Sequence, residues 1–211
     1  MKKASHKIET PFNLQSKPLL IVLSGPSGAG KDAILSRMKK SGYPAQSITT
    51  VTTRPRRAKE KNNVDYHFVS GENFQRMIET NELLEWANVY GKWYGVPKEP
   101  VKRALDMGRD VIVKVDIQGA ATIKKILPQA VFIFIVPPSR GELATRLKQR
   151  HTESPFDLAL RLKTAEKEMK QLPLFDYIVT NKQDEIDLAV SAIEAIITAE
   201  KHRVNPREIR L

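Results

Sequence analysis

The chain has 211 residues, 41% of them hydrophobic, enough for one full core with small inserted pieces. It has no cysteine, which excludes disulfides, thiolate zinc sites and a cysteine nucleophile and suits a reducing, cytoplasmic setting. Its 35 basic against 24 acidic residues give a formal charge of +11, suited to an anionic partner such as a nucleotide or a nucleic-acid backbone.

Residues 1–16 are positively charged, without apolar periodicity or an apolar stretch, and read as a loose tail rather than a secretory signal. No apolar run in the chain approaches the ~20 residues that span a bilayer, so no membrane partner is expected. Residues 19–23 (LLIVL) predict a buried strand, and residues 32–40 are compatible with a helix. Between them stands GPSGAGK, in which Gly25, Gly30 and Lys31 have the spacing G-x-x-x-x-G-K of a phosphate-binding loop. Glycine lets the backbone curl with its amides inward and no Cβ in the way of a phosphate. The amides of residues 27–31 would then face phosphates at a helix N-terminus, with Lys31 adding a positive charge. Asp32 stands where this motif wants a magnesium-binding Ser or Thr. A carboxylate there can hold magnesium, directly or through water, or can serve only to stabilise the first helical turn.

Residues 47–53 are β-branched and predict an extended segment, followed by a charged turn at 54–63. That turn clusters Arg54, Arg56 and Arg57, whose guanidiniums match phosphate oxygens bidentately. A basic loop in water would look the same. Tyr66 and Tyr94 could each donate a phenolic hydroxyl to the same phosphate. Residues 66–69 read as a strand, and Ser70 as the cap of a helix over 71–79. Residues 85–96 read as an aromatic hairpin turning at Gly91-Lys92. Pro97 starts a helix to Met107, which Gly108 ends. DVIVKV (110–115) and VFIFIV (131–136) predict strands buried on both faces. Ser139 and Glu142 form a capping-box start for a helix through Arg150, and Pro155 begins another helix containing Arg161. Residues 175–179 predict a last strand and 184–202 a long amphipathic helix. The alternation predicts an α/β fold, a parallel sheet covered by helices on both faces, with polar, irregular inserts at about 50–97 and 139–166 as mobile lobes.

Seven segments in this order are GPSGAGK, TTRPRR, VDYHFVS, LLEWANVYGKWYGV, VDIQG, an arginine-bearing lid and YIVTN. Together they resemble guanylate kinase, a nucleoside monophosphate kinase of the P-loop NTPases, over residues 18 to about 203. The resemblance implies the P-loop NMP-kinase fold: a five-stranded parallel core (17–49, 98–138 and 167–204), a GMP-binding lobe (50–97), a helical lid (139–166) and a C-terminal tail (205–211). It implies transfer of the γ-phosphoryl group of ATP to GMP, with Mg2+ accompanying ATP. ATP would be held by Gly25, Pro26, Ser27, Gly28, Ala29, Gly30, Lys31 and Asp32, with Arg146 and Asn181. GMP would be held by Thr50, Arg54, Arg57, Tyr66, Glu85, Tyr94 and Asp116. Lys31, Arg54, Arg57, Arg150 and Arg161 would form the catalytic set. The base assignment is chemically sensible, since carboxylates accept from guanine N1–H and N2–H and a threonine hydroxyl can donate to O6. No nucleic-acid partner is implied, and a monomer or homodimer is expected.

The sequence departs from the family pattern at three places. Asp32 and Ala33 replace small hydroxyl residues. Val96 replaces a Ser or Thr of the guanine pocket, a loss of ~0.5–1.5 kcal/mol for one neutral hydrogen bond. Lys114 stands two before Asp116, where an acidic residue is common; strand alternation puts the two on one face, so the lysine can pair with Asp116 or sit by a phosphate. Three other readings compete. Ribose 1,5-bisphosphate kinases have a similar GKD loop, but Glu85 and the TTRPRR segment argue against them. Non-catalytic guanylate-kinase-like modules typically lose the loop lysine and arginines kept here. A nucleic-acid binder, suggested by charge alone, predicts affinity falling steeply with salt.

Overall fold

The structure, a computed structural model, describes residues 16–58, 60–148 and 155–211. The expected N-terminal tail lies almost wholly outside the described residues, as does Arg150. Strands and helices are numbered in chain order. β1 (Leu20–Ser24) has all five residues buried and is the middle strand of a five-stranded sheet. β7 (Val111–Lys114) and β8 (Val131–Val136) flank it, with β2 (Gln46–Ser47) outside β7 and β9 (Tyr177–Thr180) outside β8. Every pairing is parallel, with Leu20 opposite Val111 and Ile21 opposite Val131.

Alternation along the strands sorts the core into two faces. Leu20, Val22, Val113 and Phe132 join one cluster with α3 (Lys98–Asp106) and α4 (Ile117–Ile126). Ile21, Leu23, Ile133 and Ile135 join the other with α1 (Lys31–Lys40) and α7 (Ile186–Lys201). Each such apolar side chain stabilises the fold by ~1.5–3 kcal/mol, and burial on both faces is why residues 20–23, 111–113 and 131–136 are unbroken apolar runs rather than alternating ones.

A second sheet orders β4 (His67–Phe68), β3 (Val51–Thr52), β6 (Lys92–Pro97) and β5 (Leu83–Val89). α2 (Gly71–Glu79) packs Phe74 against Val51 and Leu83 beneath it. Ser70 caps α2 as expected, its Oγ accepting the Asn73 N–H at 3.2 Å.

Several elements differ from expectation. The segment 47–53 is not one strand: its start joins the core sheet and its end the second sheet, with a break between. The hairpin turns one residue earlier, at Tyr90-Gly91, where both residues have positive φ (52° and 74°). The four-residue strand β7 leads directly into α4, which Asp116 caps by accepting the Gly119 N–H at 2.9 Å. α5 (Arg140–Lys148) keeps half of its capping box: Ser139 Oγ accepts the Glu142 N–H, while the Glu142 carboxylate serves Arg146 and the Gln183 N–H. α6 (Pro155–Met169) follows. Among the described residues no helix is long and apolar enough to cross a membrane.

Candidate active site

The turn after β1 is built against β8. Gly25 has φ 141°, and a Cβ there would lie 2.1 Å from the Ile135 carbonyl oxygen, so only glycine fits. The Ala29 N–H closes the turn onto the Pro26 carbonyl at 3.1 Å, and α1 begins at Lys31 with no side-chain cap from Gly30. The helix N-terminus therefore opens into the cleft at the carboxyl end of the sheet, where backbone donors favour anions. Lys31 Nζ donates to the carbonyl oxygens of Gly25 and Pro26. Burial pushes its pKa down to about 8, with Asp32 partly offsetting the fall.

From the far side, Asn181 and Arg146 fasten the loop. Asn181 Nδ2 donates to the Ala29 carbonyl at 2.8 Å, and Arg146 Nη2 donates to the Asn181 carbonyl at 2.7 Å. Arg146 also pairs with Glu142. Glu168, near the end of α6, lines the cleft with Ser27 and Lys31, and burial raises its pKa. Sequence reasoning missed Glu168, because a carboxylate among lysines on a helix carries no signal distinct from a solvated face.

Opposite the glycine loop stands the arginine loop after β3, organised by Glu60. Its carboxylate takes Arg54 Nη2 at 2.7 Å and the Arg57 backbone N–H at 2.8 Å. Arg54 lies 5.4 Å from the Tyr66 ring centroid and 5.7 Å from that of Phe68. The Tyr66 and Tyr94 rings meet edge-on at 6.1 Å. Arg56 is exposed and does not line the cleft, whereas Arg54, Arg57, Tyr66 and Tyr94 all do. Arg161, from α6, reaches the same cavity and lies 5.8 Å from the ring centroid of Tyr90 on the hairpin.

The inner wall carries the two carboxyls. Glu85 on β5 is 3% exposed, and its Oε2 has no hydrogen-bond partner. Burial first, and then the neighbouring Asp116, raise its pKa to about 8. Asp116 is raised too, chiefly by burial, against the stabilising N–H groups at the start of α4. Buried Thr50 lines the same wall. Gly119 on α4 lets Glu85 sit there, since a Cβ would come within 2.5 Å of Oε2. Val96 is fully buried and packs into the core with Leu84 and Val101. Lys114 pairs with Asp32 across the cleft, where sequence spacing offered Asp116 or a phosphate as its partner. Among the described residues there is no group of three or more His, Asp or Glu side chains able to hold a metal by themselves.

One cavity thus joins Gly25, Ser27, Gly28, Gly30, Lys31 and Asp32 with Thr50, Arg54, Arg57, Tyr66, Glu85, Tyr94, Asp116 and Arg161. Pro26, Ala29, Arg146 and Asn181 support the loop from outside that lining. Two loops of anion-favouring donors sharing one space are what a donor and an acceptor phosphate would need in order to meet. The class so defined is the P-loop kinases.

A family model described as guanylate kinase matches residues 17–200. Guanylate kinase of Caldanaerobacter subterraneus subsp. tengcongensis is 45% identical over 194 residues, covering 92% of this chain and 93% of that protein. Guanylate kinase 2, chloroplastic/mitochondrial, of Oryza sativa subsp. japonica is 42% identical over 202 residues, 95% of this chain and 71% of its own length. The crystal structure of guanylate kinase from Anaplasma phagocytophilum aligns with a TM-score of 0.73 at 31% identity, over 90% of this chain and 89% of that one. The chain belongs to the guanylate kinase family.

Proposed function

We propose that the protein transfers the γ-phosphoryl group of ATP to GMP, giving ADP and GDP. The observation that carries this reading is the single cavity in which the glycine loop faces the arginine–tyrosine loop, with Glu85 and Asp116 on its inner wall. A carboxylate there accepts from guanine N1–H and N2–H, donors that adenine lacks on that edge. Residues 50–97 then form the acceptor lobe and 139–166 the lid.

An oxygen of the GMP phosphate attacks the γ-phosphorus in line; the bond to the β–γ bridging oxygen breaks, and ADP leaves. No covalent enzyme intermediate is needed. Arg54 and Arg57 aim the acceptor, while Lys31 and Arg161 offset charge on the migrating group. Family resemblance gives Arg150 the same task, although it lies outside the described residues. Losing one such donor costs roughly a hundred- to a thousandfold in rate. Asn181 and Arg146 act on ATP through the shape of the loop they fasten.

The donors fit a magnesium ion arriving with ATP, because Mg2+ takes one or two protein carboxylates and leaves its other positions to phosphate and water. Asp32, a cavity-lining carboxylate with its side chain 68% exposed, would hold it. Such an ion neutralises charge on the β- and γ-phosphates.

A coupled ADP-release assay comparing GMP, AMP, UMP and ribose 1,5-bisphosphate tests the proposal. GMP-dependent turnover is expected; turnover with AMP or the sugar phosphate in place of GMP would overturn it.

A further inference from the structure

Lys114 ends β7 at the rim of the cleft, and only 13% of its side chain is exposed. Its ammonium pairs with Asp32 on the first turn of α1 and lies 2.9 Å from the Tyr66 hydroxyl and 4.4 Å from that ring's centroid. We propose that Lys114 is a further ligand of the acceptor's phosphate, acting together with Tyr66 and positioned by Asp32. The assignment rests on the reading of the cleft as a GMP site.

Three arguments converge. The first concerns donors. An ammonium has three hydrogens to give and no lone pair to receive, so at this contact Lys114 donates and the Tyr66 oxygen accepts. The phenolic hydrogen must then point elsewhere, and Tyr66 faces a cavity lined with guanidiniums suited to an anion. Lys114 thereby fixes the direction in which Tyr66 donates.

The second concerns charge. Tyr66 stands between two cations, Arg54 with Cζ 5.4 Å from the ring centroid and Lys114 with Nζ 4.4 Å from it. Lys114 also reaches the hydroxyl, and all three residues line one cavity, so an oxyanion entering beside the hydroxyl would meet a field made positive by both cations. Arg54 is itself balanced by Glu60, and Lys114 by Asp32. Each cation of the pair is therefore held by one carboxylate, Arg54 by Glu60 of its own loop and Lys114 by Asp32 on α1, rather than by Glu85 or Asp116.

The third concerns position. Asp32 belongs to α1, whose N-terminus forms the glycine loop, while Tyr66 belongs to the opposite lobe. Lys114 spans the gap between these two sides. The two departures from the family pattern, an acid after the loop lysine and a base two before Asp116, are thus one feature. The carboxylate on α1 meets a cation opposite it, and that cation reaches the Tyr66 hydroxyl on the acceptor side.

The test is GMP and guanosine binding by calorimetry, with chelator and without ATP, so that only the acceptor site is read. Replacing Lys114 by Met should weaken GMP roughly ten- to hundredfold, the loss of one charged hydrogen bond, and leave guanosine within about twofold. Lys114→Arg should retain most of the GMP affinity. Asp32→Asn should weaken GMP less than K114M does, and add nothing in the K114M background. Unchanged GMP binding by K114M, or equal loss of GMP and guanosine, would overturn the assignment; Lys114→Gln serves the same comparison if K114M does not fold. A parental protein that fails to bind GMP would instead overturn the reading of the site.

Discussion

Burying the Glu85 carboxyl beside Asp116 moves its titration up to about 8, so in the free protein it carries a proton at neutral pH. Guanine donors favour the carboxylate, so GMP binding should expel that proton. Affinity for GMP is therefore expected to rise with pH to about 8 and then level, with proton release visible as a buffer-dependent binding enthalpy near pH 7. Glu85→Gln should remove most of this dependence and weaken GMP roughly tenfold or more. Flat affinity between pH 6 and pH 8 would contradict the base assignment (the window follows from the shifted titration). Gly119 offers an independent check on the same wall. A methyl there would displace Glu85 Oε2, 2.5 Å away, at a cost of ~1–3 kcal/mol for overpacking. Gly119→Ala should thus raise the KM for GMP about tenfold or more while leaving that for ATP unchanged. A stable variant with unaltered GMP kinetics would show that Glu85 does not touch the base.

At the scale of elements, α7 is tied to the sheet through a buried acid. Glu200 is 1% exposed; its carboxylate accepts two bonds from Arg207 and one from the Tyr177 hydroxyl, each at 2.8 Å. These partners, Arg207 foremost, lower its pKa to about 2, and Arg203 adds a weaker contact. A carboxylate held below its ordinary 4.5 contributes stability above that pH and loses it as pH falls toward 2. Arg207→Ala should lower the melting temperature by roughly 5–10 °C at neutral pH, leave kcat unchanged, and differ less from the parent at pH 3. An equal gap at both pH values would contradict the electrostatic account of this contact. Other elements show what a sequence can and cannot specify. The glycine loop was legible because Gly25 and Gly30 are forced by backbone geometry, which local sequence encodes. The break between β2 and β3 was not, because β-branched residues at 47–53 fit either sheet and only tertiary pairing decides. α4 is not evident in the sequence, since glycine and threonine dilute its helical pattern. Glu60, Glu168 and the Asp32–Lys114 pair depend on neighbours brought together by folding, and isolated charges in sequence look alike.

Across the whole molecule, the parallel sheet sets the chemistry. β1 delivers the glycine loop, β7 delivers Lys114 and Asp116, and the second sheet brings Glu85, Tyr66 and the arginine loop over the same carboxyl edge. Arg161 meets Tyr90 of the hairpin, so a contact from α6 also reaches the opposite lobe. Donor and acceptor sites so arranged should both be filled by one molecule long enough to span them. The most direct measurement is the affinity for adenosine and guanosine joined 5′ to 5′ through five phosphates, compared with ATP and GMP separately. Linking two ligands that bind together gains roughly a hundredfold or more over the better one alone, so much tighter binding is predicted, competed by either nucleotide and weakened by both Lys31→Ala and Glu85→Gln. Binding no tighter than ATP, and indifferent to GMP, would contradict two phosphate sites facing each other in one cleft.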